Sequence, residues 1–250
     1  MVGIVVLGYV AVQNDGTFDW FDRTVLNREA FTVEQIADVT LGDSEFLPVV
    51  FPEPLTPSEM VALGHYESYW PLLRDEGAVP LGAAPAGYRL TGERHAGVVI
   101  ERIAARVVDT RPAPRAVIIG KPEIGGGPSD KILLGFDLDE PRPLARVFEG
   151  GTLGDLFSSD NYITLERGES LLFTFVGTTD QPVAHRWLVD VTYSSGGQES
   201  VTVTLPADAP FEVAGAVTDY PTAFRPTVGT ERPTPVPSAE LCGGSCVGYR

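Results

Sequence analysis

Three carboxylates stand close together near the middle of the chain, at Asp137, Asp139 and Glu140. Asp137 and Asp139 are two residues apart, so they are expected on one side of a strand that ends there. Clustered carboxylate oxygens are the ligands that calcium prefers, but the glycine and the distal glutamate of a helix-loop-helix calcium site are missing. The three residues are therefore candidate metal ligands, and the pattern favours a solvated strand edge over a metal site.

The two cysteines of the chain, Cys242 and Cys246, are four residues apart. A zinc site needs about four ligands, and no histidine lies near this pair in the sequence. Gly243 and Gly244 let the chain double back, so a local disulfide is predicted if the protein is exported to an oxidising compartment. Two free thiols on a loose tail are the alternative.

No residue pattern in the chain is typical of an enzyme. The histidines are scattered at His65, His95 and His185, and the last two adjoin arginines, which indicates exposed strand ends. There is no Gly-x-Ser-x-Gly nucleophile motif. The glycine-rich segment 120–131 ends in lysine, but a strand pattern follows where a phosphate-binding loop needs a helix. The sequence therefore predicts no catalytic residue and no cofactor.

Apolar and polar residues alternate in short segments from about residue 88 to residue 213. This alternation predicts the strands that would position the candidate side chains. Residues 186–193 place Trp187, Val189, Val191 and Tyr193 on one face, and a Gly-Gly turn leads into a second alternating run at 201–205. This pattern is typical of a β-hairpin with one wet face. Residues 98–108 fit either a helix or a strand. Seven or so short strands separated by turns predict a mainly β fold, an immunoglobulin-like β-sandwich over residues 88–213.

One helix is expected before the strands, over residues 57–76. Thr56 has the position of an N-cap, Pro57 that of the first helical residue, and Glu59 that of the partner in a capping box. Pro71 interrupts the apolar run that follows. The helix is expected to flank the sandwich, inside an acidic linker region at residues 13–87.

The two ends of the chain differ in character. Residues 1–12 are wholly apolar and are either a buried strand or the remainder of a truncated membrane anchor; as a helix they would span about 18 Å, against a hydrocarbon core of about 30 Å. Residues 214–250 form a Pro-rich tail that carries the cysteine pair.

The charge of the chain limits its partners. There are 18 basic and 34 acidic residues, for a net charge of −16, and no cluster of lysine and arginine interrupts this acidity. Such a surface repels phosphate backbones, so no nucleic-acid partner is expected. An unknown protein or surface ligand is the expected partner, with membrane attachment through the N-terminus if residues 1–12 are an anchor.

The predicted strands between residues 88 and 213 also resemble segments of a known group of proteins. Residues 88–92, 98–108, 135–139, 163–169 and 186–191 look like those of a group of uncharacterised actinobacterial (Streptomyces-type) membrane-anchored proteins. Those proteins resemble one another in having an N-terminal anchor, a helix and a C-terminal β-sandwich-like domain. The likeness covers about residues 56–213, implies strand at 98–108 and supplies no catalytic residue.

Together these patterns predict a non-catalytic extracytoplasmic module that binds a ligand or has a structural role. Two other classes stay open. One is a hydrolase or metal-dependent enzyme with an acidic site, which would require a pocket where aspartate, glutamate and histidine side chains converge. The other is an intracellular regulatory protein in the cytoplasm.

Overall fold

The computed structural model shows a mainly β protein. It describes residues 29–36, 48–63, 76–120, 131–157, 163–196, 199–217, 220–225 and 233–242. The strands in these ranges are, in chain order, β1 (Phe31–Ile36), β2 (Val49–Phe51), β3 (Val79–Pro80), β4 (Ala83–Gly92), β5 (Val98–Pro112), β6 (Val117–Ile119), β7 (Ile132–Asp137), β8 (Arg146–Glu149), β9 (Thr152–Leu156), β10 (Ile163–Leu165), β11 (Ser170–Thr178), β12 (Val183–Ser194), β13 (Val201–Leu205), β14 (Phe211–Ala214), β15 (Thr222–Arg225) and β16 (Thr234–Pro235).

Two large sheets make up most of the structure. The six-stranded sheet has the order β1-β4-β11-β7-β8-β9, in which β11 and β7 run parallel and the other neighbours are antiparallel. The five-stranded sheet has the order β10-β5-β12-β13, and β14 also pairs with β12. The predicted hairpin is confirmed, since β12 and β13 pair with Val191 opposite Val203. Residues 98–108, which fitted two periods, belong to the long strand β5.

The two sheets bury one shared hydrophobic core in a sandwich-like arrangement. The six-stranded sheet contributes alternate residues of β4, β7 and β11, and the five-stranded sheet contributes alternate residues of β5 and β12. Trp187 is fully buried at the centre of this core and lies against Phe136 of the opposite sheet, with ring centroids 5.9 Å apart. Gly177 makes room for the indole, because a Cβ atom there would lie 2.6 Å from the ring.

A third sheet, with the order β16-β15-β6-β2-β3, lies beside the other two. Its central strands β2 and β6 are buried along their whole length, which is why they read as short apolar runs rather than as alternating patterns. Leu81 and Ala214 form a bridge that joins this region to the strand β14. The third sheet therefore packs at one end of the sandwich-like unit.

The predicted helix begins where the sequence places it. Helix α1 (Pro57–Ala62) has Thr56 as its N-cap, and both hydrogen bonds of the capping box to Glu59 are present. The helix is short, and residues 64–75, which the prediction included, lie outside the described residues. Met60 and Leu63 pack on the third sheet. A second short helix, α2 (Ser238–Cys242), follows the last strand. No helix in the described ranges is both long enough and apolar enough to cross a membrane.

Paired strands extend beyond residues 88–213, the range predicted for the sandwich. Strand β1 lies within the predicted linker at residues 13–87, yet all six of its residues pair with β4. The tail at residues 214–250 supplies β15 and β16 to the third sheet. Strands β15 and β16 lie in proline-rich sequence and were not predicted, because proline gives extended backbone without an alternating pattern. Residues 1–12 and 121–130 lie outside the described residues, so the alternatives for the N-terminus stay predictions.

Candidate functional site

A buried histidine forms the centre of a polar cluster at one end of the sandwich. His185 is the third residue of β12, and its residue is 6% exposed. It lies opposite Thr110 of β5, and Thr110 Oγ1 is 2.9 Å from His185 Nδ1. The prediction that His185 is an exposed strand end, which rests on the neighbouring Arg186, is wrong. His95, by contrast, is exposed as expected and contacts Arg167.

The carboxylate that faces His185 comes from the opposite sheet. Asp139 follows β7, and its Oδ1 is 3.1 Å from His185 Nε2. The Thr179 hydroxyl, just after β11, donates to the same oxygen at 2.8 Å. The Asp180 backbone N–H donates to Oδ2 at 2.9 Å. We call Thr110, Asp139, Thr179 and His185 the His185 cluster; it links strand ends of both large sheets.

The hydrogen bonds fix which nitrogen of the ring carries the proton. An ionised carboxylate can only accept, so His185 Nε2 must donate to Asp139. In the neutral ring Nδ1 is then the acceptor, and it receives the Thr110 hydroxyl proton. Every polar atom of the imidazole thus has a partner, which is what a buried histidine needs to avoid an unsatisfied group.

Asp139 keeps its charge although its side chain is partly buried. Burial by itself raises the pKa of this carboxyl, but the hydrogen bonds from the Asp180 N–H, the Thr179 hydroxyl and His185 more than offset it, so the pKa lies below its ordinary value. The side chain of Asp139 is 19% exposed and that of His185 is 8% exposed. The cluster therefore pairs a charged carboxylate with a buried ring.

The three candidate metal ligands do not act together in the structure. Asp137 Oδ1 accepts the backbone N–H of Asp139 at 3.0 Å, which turns the chain after β7. Glu140 forms an ion pair with Arg146 at 3.4 Å. Asp139 faces the His185 cluster instead. Within the described residues, no three histidine, cysteine, aspartate or glutamate side chains are placed to hold a metal ion.

A second polar cluster lies on the outer face of the five-stranded sheet. Arg106 Nε and Nη2 donate to the two oxygens of Asp190 at 3.0 and 3.2 Å, and the Thr204 hydroxyl donates to Oδ1 at 2.7 Å. Burial raises the pKa of Asp190, while the bonds from Arg106 and Thr204 lower it overall. Arg106 is half exposed, so this cross-strand pair belongs to a solvated face and contributes little to stability.

The structure describes only one residue of the cysteine pair. Cys242 ends helix α2, whereas Cys246 lies outside the described residues. The predicted disulfide between them therefore stays a prediction.

Comparison of the chain with protein-family models, with curated proteins and with solved structures found no match.

Proposed function

We propose that this protein is a non-catalytic extracytoplasmic module that binds an as yet unknown ligand or has a structural role. The observation that carries the proposal is the way the His185 cluster is bonded. Asp139 accepts hydrogen bonds from three groups of the fold itself, two of them side chains and one a backbone N–H. A carboxylate held in this way fastens strand ends together.

Three further features support the proposal. The two-layer arrangement is typical of binding and cell-surface domains, and we propose that it is immunoglobulin-like in the broad sense of two packed sheets with a buried tryptophan. The net charge of −16 suits a soluble exported surface. The resemblance to membrane-anchored actinobacterial proteins adds attachment through the N-terminus, with a protein or surface ligand as the partner.

Export is tested by fractionation of an actinobacterial host that expresses the full chain. We expect the protein outside the cytoplasm, with Cys242 and Cys246 joined in a disulfide, because exported thiols are oxidised. Intact-mass measurement should then show a gain of about two daltons on reduction, one hydrogen for each sulfur released. Cytoplasmic protein with both thiols reduced would instead favour the intracellular regulatory alternative.

One observation favours a hydrolase as the second candidate function. Thr110, His185 and Asp139 follow the hydroxyl–imidazole–carboxylate order of acyl-transfer enzymes. In such a reaction the Thr110 oxygen would attack an ester carbonyl carbon while its proton passes to His185 Nδ1. The leaving alcohol would then take that proton, and water would hydrolyse the acyl-threonine.

A fluorophosphonate probe separates the two functions. An activated Thr110 hydroxyl would form a bond to phosphorus with loss of fluoride, and peptide mass spectrometry would locate the adduct. We expect no adduct at Thr110, and the same result for Thr110→Ala and for the matched variant Thr192→Ala, whose hydroxyl bonds only Thr202 among its described partners. Labelling of the wild type that disappears in Thr110→Ala alone would establish the hydrolase.

A further inference from the structure

Strand β13 forms an edge of the five-stranded sheet, with β12 as its neighbour on one side. The other side of an edge strand presents backbone N–H and C=O groups that can pair with another chain, and proteins usually protect such edges with charged side chains, proline or a bulge. β13 has none of these protections. Its five residues are Val, Thr, Val, Thr and Leu, and its pairing with β12 runs without a shift of register.

The other edge strands in the described part of the chain are protected or very short. β1 contains Glu34, β14 contains Glu212, and β9 contains Asp155 and pairs with β8 through a register shift. β10 is three residues long. The edge strands of the third sheet, β3 and β16, end in Pro80 and Pro235. Among these described edges, β13 is therefore the one most open to a further strand.

The side chains of β13 leave apolar surface in water. Val201 is 50% exposed, more than any other exposed large apolar residue of the described ranges. Val203 is partly buried and Leu205 is buried, so the exposure of this inner-face row increases toward the start of the strand. On the outer face the Thr202 and Thr204 hydroxyls already bond to side chains of β12. A strand added beyond β13 would cover Val201 and remove that apolar area from water.

The sequence of β13 is complementary to a second copy of itself. Opposite residues of an antiparallel pair share a face, so two copies related by a two-fold axis must place one residue opposite itself. With Val203 on the axis, all five residues of each copy pair. Thr202 then lies opposite Thr204, and Val201 lies opposite Leu205. Apolar side chains meet on the inner face and hydroxyls meet on the outer face, which are favourable cross-strand pairs.

Charge also favours β13 as the place where two copies meet. A chain with a net charge of −16 repels a second copy over most of its surface. β13 carries no charge, and the nearest acidic residues along the chain, Glu199 and Asp208, lie beyond its two ends. In the antiparallel pair, Glu199 of each copy would lie near Asp208 of the other. Salt screens this repulsion, so it should strengthen the association.

We propose that two copies of this chain associate through β13, antiparallel about Val203, so that their five-stranded sheets join into one continuous sheet. One strand pair is small against the roughly 800 Å² per partner that a stable complex buries. The dimer therefore forms at high local concentration, with a dissociation constant of about 0.1–1 mM. Such a dimer requires neither export nor a ligand, so its absence would leave the proposed function untouched.

Sedimentation equilibrium of the full chain at about 1 mM measures the association. A dissociation constant of about 1 mM gives a weight-average mass about 1.5 times that of one chain. We expect at least this value in about 0.5 M sodium chloride and a lower value in about 0.05 M. Val201→Glu places a charge opposite Leu205 and should restore the mass of a single chain. Val33→Glu is the matched control and should associate like the wild type, because Val33 is 38% exposed on the edge strand β1.

A cross-link specific for the register makes the test independent of how Val201→Glu folds. Val203→Cys, combined with Cys242→Ser and Cys246→Ser, places two thiols opposite each other at the roughly 4.5–5.5 Å Cα separation of an antiparallel pair, which a disulfide can span. Air oxidation should link at least about fivefold more chain than Val33→Cys in the same background, because paired thiols have a higher effective concentration. A single-chain mass of the wild type at both salt concentrations would overturn the proposal. Equal cross-linking of the two thiol variants, or equal effects of the two glutamate variants, would overturn it as well.

Discussion

Replacement of Trp187 by alanine is expected to lower the free energy of unfolding by about 3–5 kcal/mol. The indole is fully buried between the two large sheets and contacts Phe136 and Phe211. Its removal loses the transfer free energy of a large apolar side chain and leaves a cavity beside Gly177, which has no side chain to fill it. Urea denaturation monitored by circular dichroism measures the change.

Val201→Ala is the control for this prediction. Val201 lies on β13 of the same sheet but is 50% exposed, so its truncation should change stability by no more than about 0.5 kcal/mol. Equal losses of unfolding free energy in the two variants would show that burial of Trp187 does not hold the two sheets together.

Asp139→Ala is expected to cost about 2–4 kcal/mol of unfolding free energy, from hydrogen bonds to a charged group and from the donors left behind. The Thr179 hydroxyl, the Asp180 N–H and His185 Nε2 all lose their acceptor. Asp180→Ala is the matched control, because Asp180 is exposed and the variant keeps the backbone N–H that Asp139 uses. A loss confined to less than about 0.5 kcal/mol in Asp139→Ala would contradict the structural role.

The contribution of Asp139 should also depend on pH in a defined direction. Its pKa in the folded protein is lowered, net of a burial effect that raises it, because three hydrogen bonds favour the charged form. The unfolded chain therefore binds the proton first, at about pH 4. Stability from Asp139 is complete above that pH and is lost as the pH falls through the folded pKa. The difference between wild type and Asp139→Ala, measured by urea denaturation, should shrink below about pH 4, and a constant difference would contradict the assignment.

The alternation of apolar and polar residues predicted the strands that have one buried face and one solvent-exposed face. Trp187, Val189, Val191 and Tyr193 point into the core as their period of two requires, and the β12–β13 hairpin follows from the turn between them. The same period extends two residues back to His185, so the sequence did contain a signal for its burial. The neighbouring Arg186 indicated an exposed position instead. Successive side chains of a strand point to opposite faces, however, so an exposed Arg186 is consistent with a buried His185.

The parts that the sequence did not predict depend on long-range pairing. Strand β2 is three residues long and buried at every position, which leaves no alternation to detect. Thr110, Asp139 and His185 are separated by 29 and 46 residues. They meet only because β5 and β7 end, and β12 begins, at the same end of the sandwich. No local spacing encodes such a meeting, so the cluster required the structure.

A double-mutant cycle between Asp139 and His185 tests most directly whether the cluster fastens the fold. The free energy of unfolding would be measured for the wild type, Asp139→Ala, His185→Ala and the double variant. A structural link predicts that the double variant loses less than the sum of the single losses, with a coupling energy of about 1–3 kcal/mol. Additive losses, with a coupling energy near zero, would show that the two side chains contribute independently and that the His185 cluster does not link the sheets.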